Sequence, residues 1–122
     1  MSAEIVGTDG RVVTARVTGT LTQPELSALQ HATGEIIKRQ GTARLLVLVE
    51  QFAGWQHGAS WSDFSFQMQH DAHIERMAIV GDTQWKDLTL LFTADGLRSF
   101  PIAYFEPSDI GKARAWLDER TD

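Results

Sequence analysis

The chain has 122 residues, of which 43% are hydrophobic and none is cysteine, and its formal net charge at pH 7 is −5. This size and apolar content predict a single domain, residues 1–122, that buries one core without disulfides or thiolate metal ligands. The acidic balance argues against nucleic acid as a partner, because phosphate contacts need clustered lysine and arginine. No basic N-terminal region precedes an apolar run, and no stretch reaches membrane-spanning length, so we expect a cytoplasmic protein.

The first 41 residues predict a hairpin followed by a helix. Asp9-Gly10 is a turn signal between Ile5-Val6 and the alternating pattern of residues 13–17. A capping box at residues 22–25 then predicts the start of a helix, because the threonine hydroxyl and the glutamate carboxylate can satisfy free amides there. Apolar residues at helical spacing continue to residue 40, and Gly41 is placed to end the helix.

The middle of the chain predicts two further strands with a helix between them. Leu45 to Val49 is wholly apolar, which is typical of a strand covered on both faces at the centre of a mainly parallel sheet. We expect a loop from Glu50 to Gly58, and a helix that opens with Ser60 and Asp63. Met77 to Val80 reads as the next strand. The apolar face of the helix between them is expected to contain Trp61, Phe64 and Met68.

The last third predicts a helix, an edge strand and a closing helix. Pro101 removes one ladder donor, so the period-two pattern of Phe100, Ile102 and Tyr104 indicates an edge strand. Pro107 suits the first turn of the closing helix. The expected buried stripes are Trp85, Leu88, Leu91 and Phe92 in one helix and Ile110, Ala113, Trp116 and Leu117 in the other. The order ββαβαβαβα predicts an α/β fold with a mostly parallel sheet and helices packed on it.

The segment 52–68 holds more large apolar side chains than one helix face needs. Core packing explains part of this set, and the excess predicts a pocket for an apolar small molecule or a contact with a protein partner. Weak membrane association and a homodimer are alternatives, although interfacial helices normally carry basic residues. The candidate binding residues are Phe52, Trp55, Trp61, Phe64, Phe66 and Met68.

The turn Gly81-Asp82-Thr83 lacks the further glycines of a phosphate-binding fingerprint. We interpret Gly81 as permitting a sharp turn and Asp82 as capping the amide of Gln84 or Trp85. The alternative is an anion held by free amides at this helix start.

Three of the four histidines fall in a stretch without lysine or arginine, between Arg44 and Arg76. His70 and His73 are three residues apart, and His57 precedes them, but zinc needs three or four converging ligands. We therefore expect solvated or capping histidines, with no metal and no cofactor. No nucleophile elbow, zinc-protease motif or carboxylate pair is present, so we expect no enzymatic activity.

Motifs along nearly the whole chain resemble those of the SpoIIAA-like family, small bacterial proteins related to STAS domains and, more distantly, to CRAL-TRIO lipid-binding domains. They are Phe52-Ala53-Gly54-Trp55, the stretch HIERMAIVGDTQW from His73 to Trp85, Arg98-Ser99-Phe100, and a closing helix with Ala113, Trp116 and Leu117. The resemblance implies a STAS-like fold and a helix over an apolar site.

Anti-sigma-factor antagonists among STAS proteins carry an Asp-Ser-Ser-Gly motif with a phosphorylated serine. This sequence lacks that motif, and its nearest counterparts are Ser60 and Ser62. The leading hypothesis is a non-enzymatic domain that binds an apolar, lipid-like ligand or a protein partner through segment 52–68. The alternatives are a regulatory partner-switch protein and a small hydrolytic or metal-dependent enzyme that uses His57, His70 or His73.

Overall fold

The computed structural model describes residues 3–56, 70–92 and 100–119. Short 3₁₀ turns lie at Asp71–His73, Thr83–Trp85 and Pro107–Asp109. The strands are β1 (Ala3–Asp9), β2 (Val12–Leu21), β3 (Ala43–Trp55), β4 (Ile74–Val80) and β5 (Ile102–Phe105), and the helices are α1 (Gln23–Gln40), α2 (Lys86–Phe92) and α3 (Ile110–Asp118).

The described strands form one sheet in the order β1-β2-β3-β4-β5. β1 pairs with β2 antiparallel, and the three other pairs are parallel. The mostly parallel α/β fold is therefore confirmed, with the apolar run of β3 in the middle and β5 at an edge.

Local signals set the limits of the first elements. The hairpin pairs Asp9 with Val12 around Gly10, whose φ is 60°. At the start of α1 the backbone amide of Glu25 donates to the Thr22 hydroxyl over 3.3 Å, which confirms the cap. The helix ends at Gly41, whose φ of 90° suits glycine.

The two faces of the sheet have separate cores. On the α1 side, Val13, Leu45 and Ile79 pack with Ile37 of the helix. On the α3 side the buried cluster is Leu46, Ala78, Val80, Ala113 and Leu117. Consecutive residues 45 and 46 thus enter opposite cores, because side chains alternate along a strand. Full burial of a leucine is worth about 1.5–3 kcal/mol, so both helices are held mainly by apolar contact.

Two arginines connect the end of α3 to the sheet. Arg44 donates to the carbonyl groups of residues 117 and 119, and Arg76 donates to that of residue 116. These bonds satisfy carbonyls that a helix end leaves free and place positive charge there. Arg44 also donates to Glu75 over 2.9 Å, and this hydrogen bond is the main cause that lowers the pKa of Glu75.

The structure corrects three predictions from the sequence. β3 continues to Trp55, where we expected a loop from Glu50. In α2 it is Thr89 that is buried, whereas Leu88 is 50% exposed. Trp85 lies in the 3₁₀ turn before α2, so it is not part of the α-helical stripe that we predicted. Ile110 is exposed, and the buried face of α3 is Ala113 and Leu117.

The helix predicted to open at Ser60 lies outside the described residues. Among the described helices, none combines the length and the apolar composition needed to cross a membrane.

Candidate functional site

The end of β3 contains two extra residues relative to β2. Gln51 and Ala53 have no partner in the ladder, and both are exposed. Gln51 has a φ of 49°, which is uncommon for a residue other than glycine. The pairs around the two bulges are Thr18 with Glu50, Gly19 with Phe52, Thr20 with Gly54 and Leu21 with Trp55.

The bulges decide where two aromatic rings lie. Phe52 and Trp55 are three positions apart, so a regular strand would direct them to opposite faces. The extra residue between them brings both to the α1 side, where they pack against Val17 and Leu21. A bulge that redirects a side chain is a known device at binding sites.

Trp85 completes an aromatic cluster with Phe52 and Trp55. The ring centroids of Phe52 lie 5.0 Å from Trp55 and 5.0 Å from Trp85, and the two tryptophans are 6.0 Å apart. The interplanar angles of 87°, 76° and 79° are edge-to-face arrangements, each worth about 0.5–1.5 kcal/mol beyond apolar burial. All three rings are partly exposed. They therefore form an accessible surface at the carboxyl ends of β3 and β4.

The start of α1 borders the aromatic cluster. Leu26 and Leu29 pack against the same small core as Phe52 and Trp55. Gln56 fastens the helix to the end of β3, because its side-chain oxygen accepts from the amide of Gln23 over 3.1 Å. Its own amide donates to the carbonyl of residue 21 over 2.9 Å. The wall beside the rings is thus apolar, and its flanking polar groups bond to one another.

The turn after β4 holds Trp85 in place. The carboxylate of Asp82 accepts from the amide of Gln84 over 3.0 Å, and the carbonyl of Asp82 accepts from the amide of Trp85 over 3.1 Å. The Tyr104 hydroxyl also donates to that carbonyl, over 2.7 Å, while burial raises the pKa of the phenol. The backbone amides of Gln84 and Trp85, at the helix start considered for an anion, therefore both donate hydrogen bonds within the turn.

Gly81 is needed here for space. Its backbone is not in the left-handed region, so the sharp turn that we predicted does not require glycine. A Cβ at this position would lie 2.7 Å from the Tyr104 hydroxyl and 3.1 Å from Cβ of Val49. Because Gly81 has no side chain, Val49 of β3 and Tyr104 of β5 can pack against the backbone at the end of β4.

Comparisons with known proteins agree with this fold. The family model described as SpoIIAA-like matches residues 12–118. The chain belongs to the SpoIIAA-like family. A crystal structure of an uncharacterised protein from the DUF3478 family, with a SpoIIAA-like fold and from Shewanella loihica PV-4, superimposes with a TM-score of 0.72. It is 18% identical, and the match covers 95% of this chain and 93% of that chain, which shows the shared fold alone. No curated protein matches.

Much of the predicted site in this SpoIIAA-like domain falls outside the described residues. Phe52 and Trp55 are brought together, and Trp85 joins them. The candidates that lie outside are His57, Ser60, Trp61, Ser62, Phe64, Phe66 and Met68.

The other two candidate histidines, His70 and His73, do not form a metal site with described residues. No group of three or more candidate ligands occurs in the described ranges. His70 is buried, and His73 is exposed. Burial, then the nearby charges of Lys38 and His73, lower the pKa of His70. The imidazole is therefore held in its neutral form more strongly than in water.

Sequence reasoning missed the contribution of Trp85, which it assigned to a helix stripe. A usable signal was present, because Trp85 and Trp55 both follow predicted parallel strands. Carboxyl ends of neighbouring parallel strands meet at one edge of the sheet.

Proposed function

We propose that this SpoIIAA-like domain is a non-enzymatic binding protein that takes an apolar, lipid-like ligand at the aromatic cluster. The observation that carries the proposal is the set of three partly exposed rings, in mutual contact, at the carboxyl edge of the parallel strands. Open α/β sheets bind ligands in crevices outside this edge. Small-molecule sites are lined mainly by apolar and aromatic side chains.

The strain at Gln51 supports a specific role for the cluster. A residue other than glycine at a positive φ costs about 1–2 kcal/mol. A regular strand would avoid that cost but would direct Phe52 to the other face of the sheet. The bulge thus places Phe52 beside Trp55 at a cost in backbone strain.

The surroundings favour an apolar ligand over a charged one. Leu26 and Leu29 line the same side, and the backbone amide of Gln23 is already paired with the side-chain oxygen of Gln56. Binding there would depend on removing apolar surface from water, at about 25 cal/mol per Å². An acyl chain or a flat hydrocarbon matches these surroundings.

The first test is a native mass spectrum of the purified protein, compared with its denatured mass. A retained ligand appears as extra mass that is lost on denaturation, and its value gives the ligand class. A bare monomer that also fails to bind an added fatty acid would overturn the proposal. A bare homodimer would indicate that the rings serve self-association, and a phosphopeptide with Ser60 or Ser62 would favour the partner-switch alternative.

A matched pair of tryptophan variants locates the ligand. Trp85→Ala opens the aromatic cluster and should lower fatty-acid affinity at least about tenfold, the equivalent of ~1.4 kcal/mol. Trp116→Ala is the control, because Trp116 lies on α3 and packs with Phe105 on the other face of the sheet. Equal loss of affinity in both variants, with folding verified by circular dichroism, would argue against the aromatic cluster as the site.

A further inference from the structure

His70 is a buried titratable side chain between α1 and the turn that leads into β4. It is 7% exposed. A Cβ at Gly34 would lie 2.8 Å from its Nε2 atom, so the imidazole edge lies directly against the backbone of α1. Glycine at this helical position leaves the space that the ring fills. The contact therefore joins the middle of α1 to the segment before β4.

Charged neighbours surround this contact in the part of the chain that the structure describes. Lys38 and Glu35 belong to α1 and form an ion pair with an N–O distance of 3.5 Å. Asp71 and His73 belong to the turn that follows His70. Lys38 and His73 disfavour a positive charge on the imidazole, whereas Asp71 and Glu35 favour it. Burial, which is the largest cause, also disfavours the charged form, and the pKa of His70 is lowered overall.

We propose that His70 is a pH-sensitive support for α1, packed against Gly34 when neutral and released from it when protonated. A charged imidazole loses its hydration at this site and is repelled by the positive charge of Lys38, whereas release would return it to water. Thr33, Gly34 and Ile37 are the buried residues of α1, so the release would act on the segment that anchors the helix.

The direction of the pH effect follows from the neutral preference of the folded state. Above the ordinary histidine pKa of about 6.5 the contact is complete. It weakens as the pH falls through that value toward the lower folded-state pKa, because the unfolded or released form binds the proton more readily. The transition therefore belongs to mildly acidic solution.

Hydrogen exchange tests the proposal on the complete chain. Protection of the α1 amides of residues 33–38 should fall at least about threefold between about pH 7 and about pH 5, after correction for intrinsic exchange rates. The fall should be absent in His70→Gln, which cannot be protonated. An equal fall in His70→Gln, or constant protection in the wild type while NMR shows His70 titrating, would overturn the proposal.

Two further variants keep the test decisive if His70→Gln folds poorly. Lys38→Gln removes an unfavourable charge and should reduce the pH-dependent loss of protection, whereas Glu35→Gln should increase it. Lys112→Gln is the matched control, since Lys112 of α3 forms a similar i,i+3 pair with Asp109 at the cap of that helix, with an N–O distance of 3.6 Å. The same response in the Lys38 and Lys112 variants would contradict the proposal.

Discussion

Replacement of Gly81 with alanine is predicted to destabilise the protein, because the added methyl group would enter an occupied space. The new Cβ would lie 2.7 Å from the Tyr104 hydroxyl of β5 and 3.1 Å from Cβ of Val49 in β3. Such overpacking costs about 1–3 kcal/mol, and the reduced freedom of the unfolded chain returns about 0.4–1 kcal/mol. We therefore expect the free energy of unfolding to fall by about 1–2 kcal/mol.

A double-mutant cycle with Tyr104→Phe isolates the cause. Tyr104→Phe alone removes the hydrogen bond to the Asp82 carbonyl, which is worth about 1 kcal/mol. In the double variant the closest ring atom is Cζ at 3.5 Å, an ordinary contact, so only the approach to Val49 stays tight. The double variant should be more stable than the sum of the single effects predicts, by about 1 kcal/mol.

Urea unfolding, followed by circular dichroism, measures the free energy of unfolding of all four proteins in the cycle. The comparison requires that the slope m of this free energy against urea concentration is equal in all four. Effects that add within about 0.5 kcal/mol would refute the reasoning, since they would mean that the hydroxyl does not compete with the methyl group for space.

Three further predictions concern backbone strain, helix propensity and acid sensitivity. Gln51→Gly should raise the urea midpoint by relieving the positive φ, a gain of about 0.5–1 kcal/mol, whereas Gln51→Val should lower it. Gly111→Ala in α3 should stabilise by about 0.5 kcal/mol, because its Cβ would meet nothing within 4 Å, and a lower midpoint would contradict this. The hydrogen bond from Arg44 is the main cause that lowers the pKa of Glu75 in the folded protein. The ionised carboxylate therefore stabilises the fold above the unfolded-state pKa of about 4.3, and this stabilisation is lost as the pH falls through the lower folded-state pKa. Glu75→Gln should be less stable at pH 7 and should lose less stability than the wild type on titration to about pH 3.

Local chemistry explains why the elements were predictable. The cap at Thr22, the stop at Gly41 and the apolar run of β3 each depend on a few adjacent residues. The mostly parallel sheet followed from these elements, because helical crossovers favour parallel neighbours. The period-two pattern of Phe100, Ile102 and Tyr104, with the missing donor of Pro101, likewise indicated an edge strand. β5 pairs with β4 alone among the described strands.

The bulges of β3 were not predictable in the same way. Gln51 and Ala53 are extra residues only in relation to β2, where Gly19 lies opposite Phe52. No adjacent residue reveals that pairing. Gly54 was the one local hint, and its φ of 106° shows that glycine is needed there. The predicted loop from Glu50 was wrong because the polar residues Glu50 and Gln51 and the glycine at 54 interrupt the apolar run, although the chain stays paired with β2.

The turn after β4 supports the proposed preference for an apolar ligand over an anion. Asp82 engages the amides of Gln84 and Trp85, and the space left by Gly81 is filled by the Tyr104 hydroxyl. An anion at this turn would have to displace bonds that are already made. What the turn presents to solvent is instead the ring of Trp85, in contact with Phe52 across the strand ends. Under the proposed function, recognition at this edge would depend on aromatic surface, and a bound molecule would gain its affinity by covering it.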